Sequence, residues 1–94
     1  MTIDSSERSR LRKEAQRLDV TAHIGKAGLA DAALDEVRRQ LKDHRLVKVR
    51  LLASATEGGA QDTVQAEALA QALGAELVEV RGHTVVLWRP RAGT

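Results

Sequence analysis

The hydrophobic period of this chain switches between about 3.6 and 2 in a fixed order, and that order restricts its fold more than any other feature. From Ser6 to Leu18 the apolar residues Leu11, Ala15 and Leu18 fall on one helix face, with Ser5 or Ser6 as the expected cap. Val20 to Ile24 alternates, placing Val20, Ala22 and Ile24 on one side and Thr21 and His23 on the other. A helix is expected from about Leu29 to Asp43, with Ala30, Leu34, Val37 and Leu41 inward and Ala33 beside them. Its acids, Asp31, Asp35 and Glu36, come early and its cations, Arg38, Arg39 and Lys42, come late, as the helix macrodipole favours.

Leu46 to Leu52 alternates again, with Val47, Val49 and Leu51 opposite Lys48 and Arg50. Thr56 to Ala60 reads as a loop around Gly58 and Gly59. A third helix is expected from an Asp62 cap to Leu73, with Ala66, Leu69, Ala70 and Leu73 inward and Gly74 just past its end. Glu76–Arg81 and Thr84–Arg89 form a hairpin across Gly82-His83, a two-residue connection that suits a type II′ turn, and Pro90 stops the last strand. The order α-β-α-β-α-β-β gives two β-α-β crossovers and a terminal antiparallel pair. The expected fold is a compact α/β domain with a four-stranded mixed sheet.

At 94 residues the chain fits one domain, expected over 1–94 with a core of about 8–90. A chain of this size hides about 60–65 % of its surface on folding, so a core forms without covalent staples. With no cysteine there is no disulfide, thiolate metal site or cysteine nucleophile. No run approaches the ~20 apolar residues of a membrane span. Met1 to Lys13 lacks the apolar stretch of a secretory signal, and a cytoplasmic location is expected. Trp88 is the one aromatic residue. That excludes sheets that stack bases on several aromatics and aromatic-lined channels for single strands.

Charge is unevenly distributed. Residues 1–52 hold 12 Lys and Arg against 8 Asp and Glu; residues 53–80 hold 5 acids and no Lys or Arg; residues 81–94 hold 3 Arg and no acid. Two basic segments flanking an acidic one suit a surface with one face for polyanions, or an ordinary solvated surface.

Gly25-Lys26-Ala27-Gly28 lies between a strand and a helix start. The glycines allow a tight turn, the amides of the helix's first turn carry partial positive charge, and Lys26 adds a full charge. An anion such as a phosphate suits that place, and so does a tight turn without a ligand. The segment is neither a Walker A loop nor a dinucleotide fingerprint. Lys48 and Arg50, with Thr21 and His23, read either as a cationic sheet face or as the wet side of a half-buried sheet. The basic residues of the first helix, with Arg89 and Arg91, read as a basic surface or a solvated helix face. Trp88 reads as a stacking surface or a half-buried sheet residue.

Enzyme chemistry finds no support. His23, His44 and His83 stand 21 and 39 residues apart, without the spacing of a metal site. No carboxylate pairs with a histidine in a catalytic arrangement, and Ser54 and Thr56 lack nucleophile-elbow spacing. The expectation is no catalytic residue, no metal and no cofactor.

Four segments resemble one family: Leu11-Arg12-Lys13; Ile24-Gly25-Lys26-Ala27-Gly28-Leu29; His44-Arg45-Leu46-Val47-Lys48-Val49-Arg50; and the run from Gly82 to Pro90. They look like the CRM domain, the chloroplast RNA splicing and ribosome maturation domain, and most of all its stand-alone bacterial YhbY-like form. The resemblance covers about residues 8–90. It implies an RNA-binding domain similar in fold to the C-terminal domain of translation initiation factor 3. The partner it implies is RNA, ribosomal RNA or a large-subunit precursor particle during ribosome assembly, with no DNA or membrane and no enzymatic activity. By the same likeness Gly25, Lys26, Ala27 and Gly28 form an RNA loop comparable to that of KH domains, and Arg12, Lys48, Arg50 and Arg89 match basic positions. Trp88 departs from the family's frequent tyrosine. Arg12, Lys26, Lys48, Arg50 and Arg89 are expected on one continuous surface, with Glu67 elsewhere. Two other functions compete: a protein-interaction module docking a basic partner through the acidic helix 62–73, and a small phosphate-ligand or nucleotide enzyme using the Gly25–Gly28 loop.

Overall fold

The computed structural model describes residues 4–25, 32–52 and 60–89. Their order is α1 (Ser5–Ala15), β1 (Ala22–Ile24), α2 (Ala33–His44), β2 (Leu46–Leu51), α3 (Ala60–Leu73), β3 (Glu76–Arg81) and β4 (Thr84–Trp88). The α/β class and the four-stranded mixed sheet are as the sequence implies. The strands stand in the order β1-β2-β4-β3. β1 runs parallel to β2, and β4 lies antiparallel to both β2 and β3, so the terminal hairpin inserts its second strand into the sheet.

Alternation decides the main core. Val47, Val49 and Leu51 of β2 and Val85 and Leu87 of β4 bury one face against Leu34, Val37 and Leu41 of α2 and Ala66, Leu69, Ala70 and Leu73 of α3. The small alanines of α3 let its backbone sit close to the sheet. A second cluster occupies the other face. There Leu11 and Ala15 of α1 pack on Leu46, Val78 and Val86, with Leu18 and Trp88 partly buried at its margin. The sheet is therefore enclosed between two helical layers, and the Lys48 face is neither an open cationic face nor a wholly wet one.

Several boundaries differ from the sequence reading. The α1 cap is Asp4, not Ser5 or Ser6: its Oδ1 accepts from the Glu7 amide at 2.8 Å. α1 ends at Ala15, yet Leu18 still reaches the second cluster through a turn. β1 begins at Ala22 rather than Val20: the ladder with β2 starts at Ala22 opposite Val49, and before it only the Thr21 amide reaches β2, donating to the Lys48 carbonyl at 3.0 Å. α3 begins at Ala60, which places the expected cap Asp62 inside the helix. The expected start of α2 at Leu29, its core residue Ala30, most of the 56–60 loop and Pro90 lie outside the described residues.

Two turns behave as expected. Gly74 sits at φ +64, and the Ala75 amide donates to the Ala70 carbonyl at 2.9 Å, a Schellman closure of α3. Gly82 at φ +57 occupies the first central position of the hairpin turn, as type II′ demands.

β3 carries an irregularity. Leu77 faces Leu87 and Glu79 faces Val86, leaving Val78 as the extra residue of a bulge on this edge strand. The Arg8 guanidinium of α1 donates to the Leu77 carbonyl and, at 3.0 Å, to the Val78 carbonyl. A cation from the helix thus satisfies carbonyls that the ladder leaves unpaired, and the same contact blunts the edge against further strand pairing.

Candidate nucleic-acid interface

The end of the sheet from which Gly25 departs carries a transverse row of polar side chains. His23 pairs with Arg50, Arg50 with Thr84, and Thr84 with Arg81, so one residue from each strand falls in line. Strands lie about 4.8 Å apart, which spaces the row evenly. The row continues the face on which α1 sits, but α1 ends before reaching it: Ala15 and Gln16 border a small cleft of about 100 Å³ whose floor includes Thr84 and Arg81. His23, Arg50 and Arg81 are exposed. Arg81 approaches Glu79 at 3.9 Å, whereas Arg50 has no side-chain partner among the described residues.

Gly25 follows Ile24, which pairs with Leu51 at the same end of the sheet. Lys26, Ala27 and Gly28 of the expected loop lie outside the described residues. The row therefore borders the root of that segment.

The other site candidates occupy different places. Arg12 is exposed on α1. Lys48 points beneath α1: its Nζ lies 3.4 Å from the Ala15 carbonyl and 3.5 Å from that of Leu18, so its charge meets the negative end of the helix. Arg89 lies at the far end of the sheet, just past the Leu46–Trp88 pair, and its amide donates to the Arg45 carbonyl at 2.8 Å. One continuous patch of these residues is not what forms. Alternation along β2 places Lys48 and Arg50 on one side, but only the long-range path of α1 covers the first and leaves the second open.

Ion pairs remove further cations from the list. Arg10 pairs with Glu7 at 2.6 Å, Arg38 with Asp35 at 2.7 Å and Arg39 with Glu36 at 2.5 Å. Hydrogen bonds from Arg39 and Gln40 hold the Glu36 carboxyl below the usual carboxylate range. A cleft of about 620 Å³ between the 14–21 connection and α2 mixes Glu14, Asp19, Glu36 and Asp43 with Arg17 and Arg39, so it offers no excess of positive charge. Glu67 and Glu76 line a groove along the outer edge of β3, which Glu79 borders while its carboxyl approaches Arg81 of the row. Among the described residues no group of three or more His, Asp or Glu is placed to hold a metal ion, and no helix is long and apolar enough to cross a membrane.

Sequence reasoning missed two residues. Arg8 serves the bulge, which the adjacent apolar pair Leu77-Val78 signals by breaking the alternation of β3. Arg45 takes a left-handed φ of +64 at the end of α2, a position that favours glycine or asparagine, so its residue type gives no warning.

The chain is similar to several known proteins. "Probable RNA-binding protein MJ0652" of Methanocaldococcus jannaschii is 40 % identical over 83 residues, covering 88 % of this chain and 60 % of the relative. The chain thus spans well under two thirds of that protein's length. A Bacillus subtilis protein, "Probable RNA-binding protein YqeI", is 30 % identical over 84 % of this chain and 79 % of its own. An "RNA-binding protein" of Haemophilus influenzae is 29 % identical over 95 % of this chain and 87 % of its own. The solution structure of the hypothetical protein SAV1595 from Staphylococcus aureus superposes with a TM-score of 0.81 at 26 % identity, covering 99 % of this chain and 94 % of that one. The family model for the CRS1 / YhbY (CRM) domain matches residues 3–89, nearly the whole chain. By that match and by its fold, the chain belongs to the CRS1/YhbY (CRM) domain family.

Proposed function

We propose that this domain binds RNA, and that the RNA is ribosomal, held within large-subunit precursors during assembly in the cytoplasm. The observation that carries the reading is the row of His23, Arg50 and Thr84 beside Gly25, with Arg50 left without a carboxylate partner. Three relatives carry names that include RNA binding, which supports the same partner.

The mechanism is electrostatic. The amides of Gly25–Gly28 and the positive end of α2 receive a phosphate, and Lys26 neutralises it. Arg50 and Arg12 take neighbouring phosphates, Arg89 takes one at the far end of the sheet, and Lys48 fixes α1 while adding to the field. Phosphate contacts position without specifying, so selectivity comes from the folded shape of the RNA. The domain supplies binding and no catalysis.

Crosslinking in cells followed by sequencing of the bound RNA tests this reading. Enrichment of large-subunit ribosomal RNA, reduced in an Arg50→Met variant, is the expected result. An unenriched sample of cellular RNA, unchanged by the substitution, contradicts it.

A further inference from the structure

Leu52 is a large apolar side chain left 38 % exposed, and it stands at the Gly25 end of the sheet. The ladders on either side fix its place. Its amide donates to the Ile24 carbonyl at 2.9 Å, and the Leu51 amide before it donates to the His83 carbonyl at 2.7 Å. Both ladders of β2 thus run on to its end, and the next positions outward beside Leu52 are Gly25, after β1, and Gly82, in the hairpin turn. Leu51 is wholly buried in the main core, so alternation turns Leu52 to the opposite face, the face of Arg50.

A lone apolar side chain on a surface carries no message by itself. The surroundings of Leu52 do. Glycine has no side chain, so neither flank raises one against Leu52, and a Cβ added at Gly82 meets no atom within 4 Å. The exposed Arg50 lies two residues back on the same strand, about 6.6 Å at roughly 3.3 Å per residue, with His23 and Thr84 at its sides. That span is comparable to the reach from phosphate to base within one nucleotide. A base in a single strand offers its face to such a surface, whereas a duplex hides it in the stack. Trp88 cannot serve instead, because it pairs with Leu46 at the other end of the sheet. We propose that Leu52, between Gly25 and Gly82, is a seat for one unpaired base of the RNA whose phosphate Arg50 holds. This rests on the reading that the domain binds RNA. It adds the class of RNA: an unpaired stretch rather than a duplex.

Leu52 is uncharged, so its loss weakens binding without changing the salt dependence, unlike the loss of Arg50. Titrations of the whole chain with a decaadenylate and with a blunt G·C-rich RNA duplex, over a range of salt, separate the two effects. Leu52→Ser is expected to weaken single-strand binding about fivefold at every salt concentration, as loss of a part-exposed leucine contact would. Its slope with salt, its duplex affinity and its melting temperature stay at the parent values. Leu52→Trp enlarges the seat and tightens the single strand, so the test does not depend on a loss alone. Val64→Ser, which removes an exposed apolar side chain of α3, leaves binding unchanged. Single-strand affinities of Leu52→Ser and Leu52→Trp equal to the parent's, or changes of the same size on the duplex, overturn the seat while leaving RNA binding in place. Failure of the parent to bind either RNA overturns the RNA reading and this inference together.

Discussion

The Lys48 ammonium lies 3.4 Å from the carbonyl oxygen of Ala15, so a cation from the central strand closes the C-terminus of α1. That contact converts a charge on the sheet into a fastening between two layers. Lys48→Met keeps the apolar stem and removes the charge. It is expected to cost about 1 kcal/mol, the usual net worth of such a half-buried contact, read from chemical denaturation. Lys48→Arg is expected to recover part of the loss. An unchanged midpoint in both variants would show that the fastening carries no stability.

Arg8 makes the second fastening, through the Leu77 and Val78 carbonyls at the bulge. Arg8→Met leaves those carbonyls to water or to nothing. A loss of about 1–2 kcal/mol is expected, with faster amide exchange in α1 and β3 than in β2. Uniform exchange across the sheet would contradict this local account.

Gly74 closes α3 at φ +64, and a Cβ there meets no atom within 4 Å. The cost of Gly74→Ala is therefore backbone strain alone, about 1 kcal/mol, and Gly74→Asn should cost less. Thermal unfolding of both variants checks the order. Equal stability of the alanine variant and the parent would remove the left-handed cap from the account.

Glu36 accepts from Arg39 and Gln40, and these bonds lower its pKa. A carboxyl whose folded pKa is depressed adds stability above its unfolded pKa and loses it as pH falls through the folded value. The contribution is thus present at neutral pH and disappears on the acid side. NMR titration should place the Glu36 midpoint below the ordinary carboxylate range and return it upward in Arg39→Ala. A midpoint insensitive to Arg39→Ala sinks the assignment.

Periodicity exposed every element of the fold because each helix and strand has one apolar face to bury. Leu34, Val37 and Leu41, or Val47, Val49 and Leu51, could be read directly as inward. Boundaries were less legible where a local signal competed with tertiary pairing. Val20 continues the alternation of Ala22 and Ile24 but stands outside β1, whose ladder starts at Ala22, and Asp62 resembles a cap inside a helix that starts at Ala60. The site was legible by residue type and only partly by position. Lys48 and Arg50 are equivalent in sequence, and what separates them is the placement of α1, a contact 33 residues away along the chain. Arg89 reads as a neighbour of Arg50 only until the antiparallel register of β2 and β4 sends it to the other end.

The central claim is that phosphate neutralisation by a few unpaired cations drives binding, and its salt dependence tests that most directly. With about four phosphates neutralised on a single strand, log K should fall with log salt at a slope near −3, from roughly −0.7 per phosphate. Arg50→Met should make that slope shallower by one phosphate's share while leaving the melting temperature at the parent value. An affinity for single-stranded RNA that holds steady as salt rises, in parent and variant alike, would contradict the account.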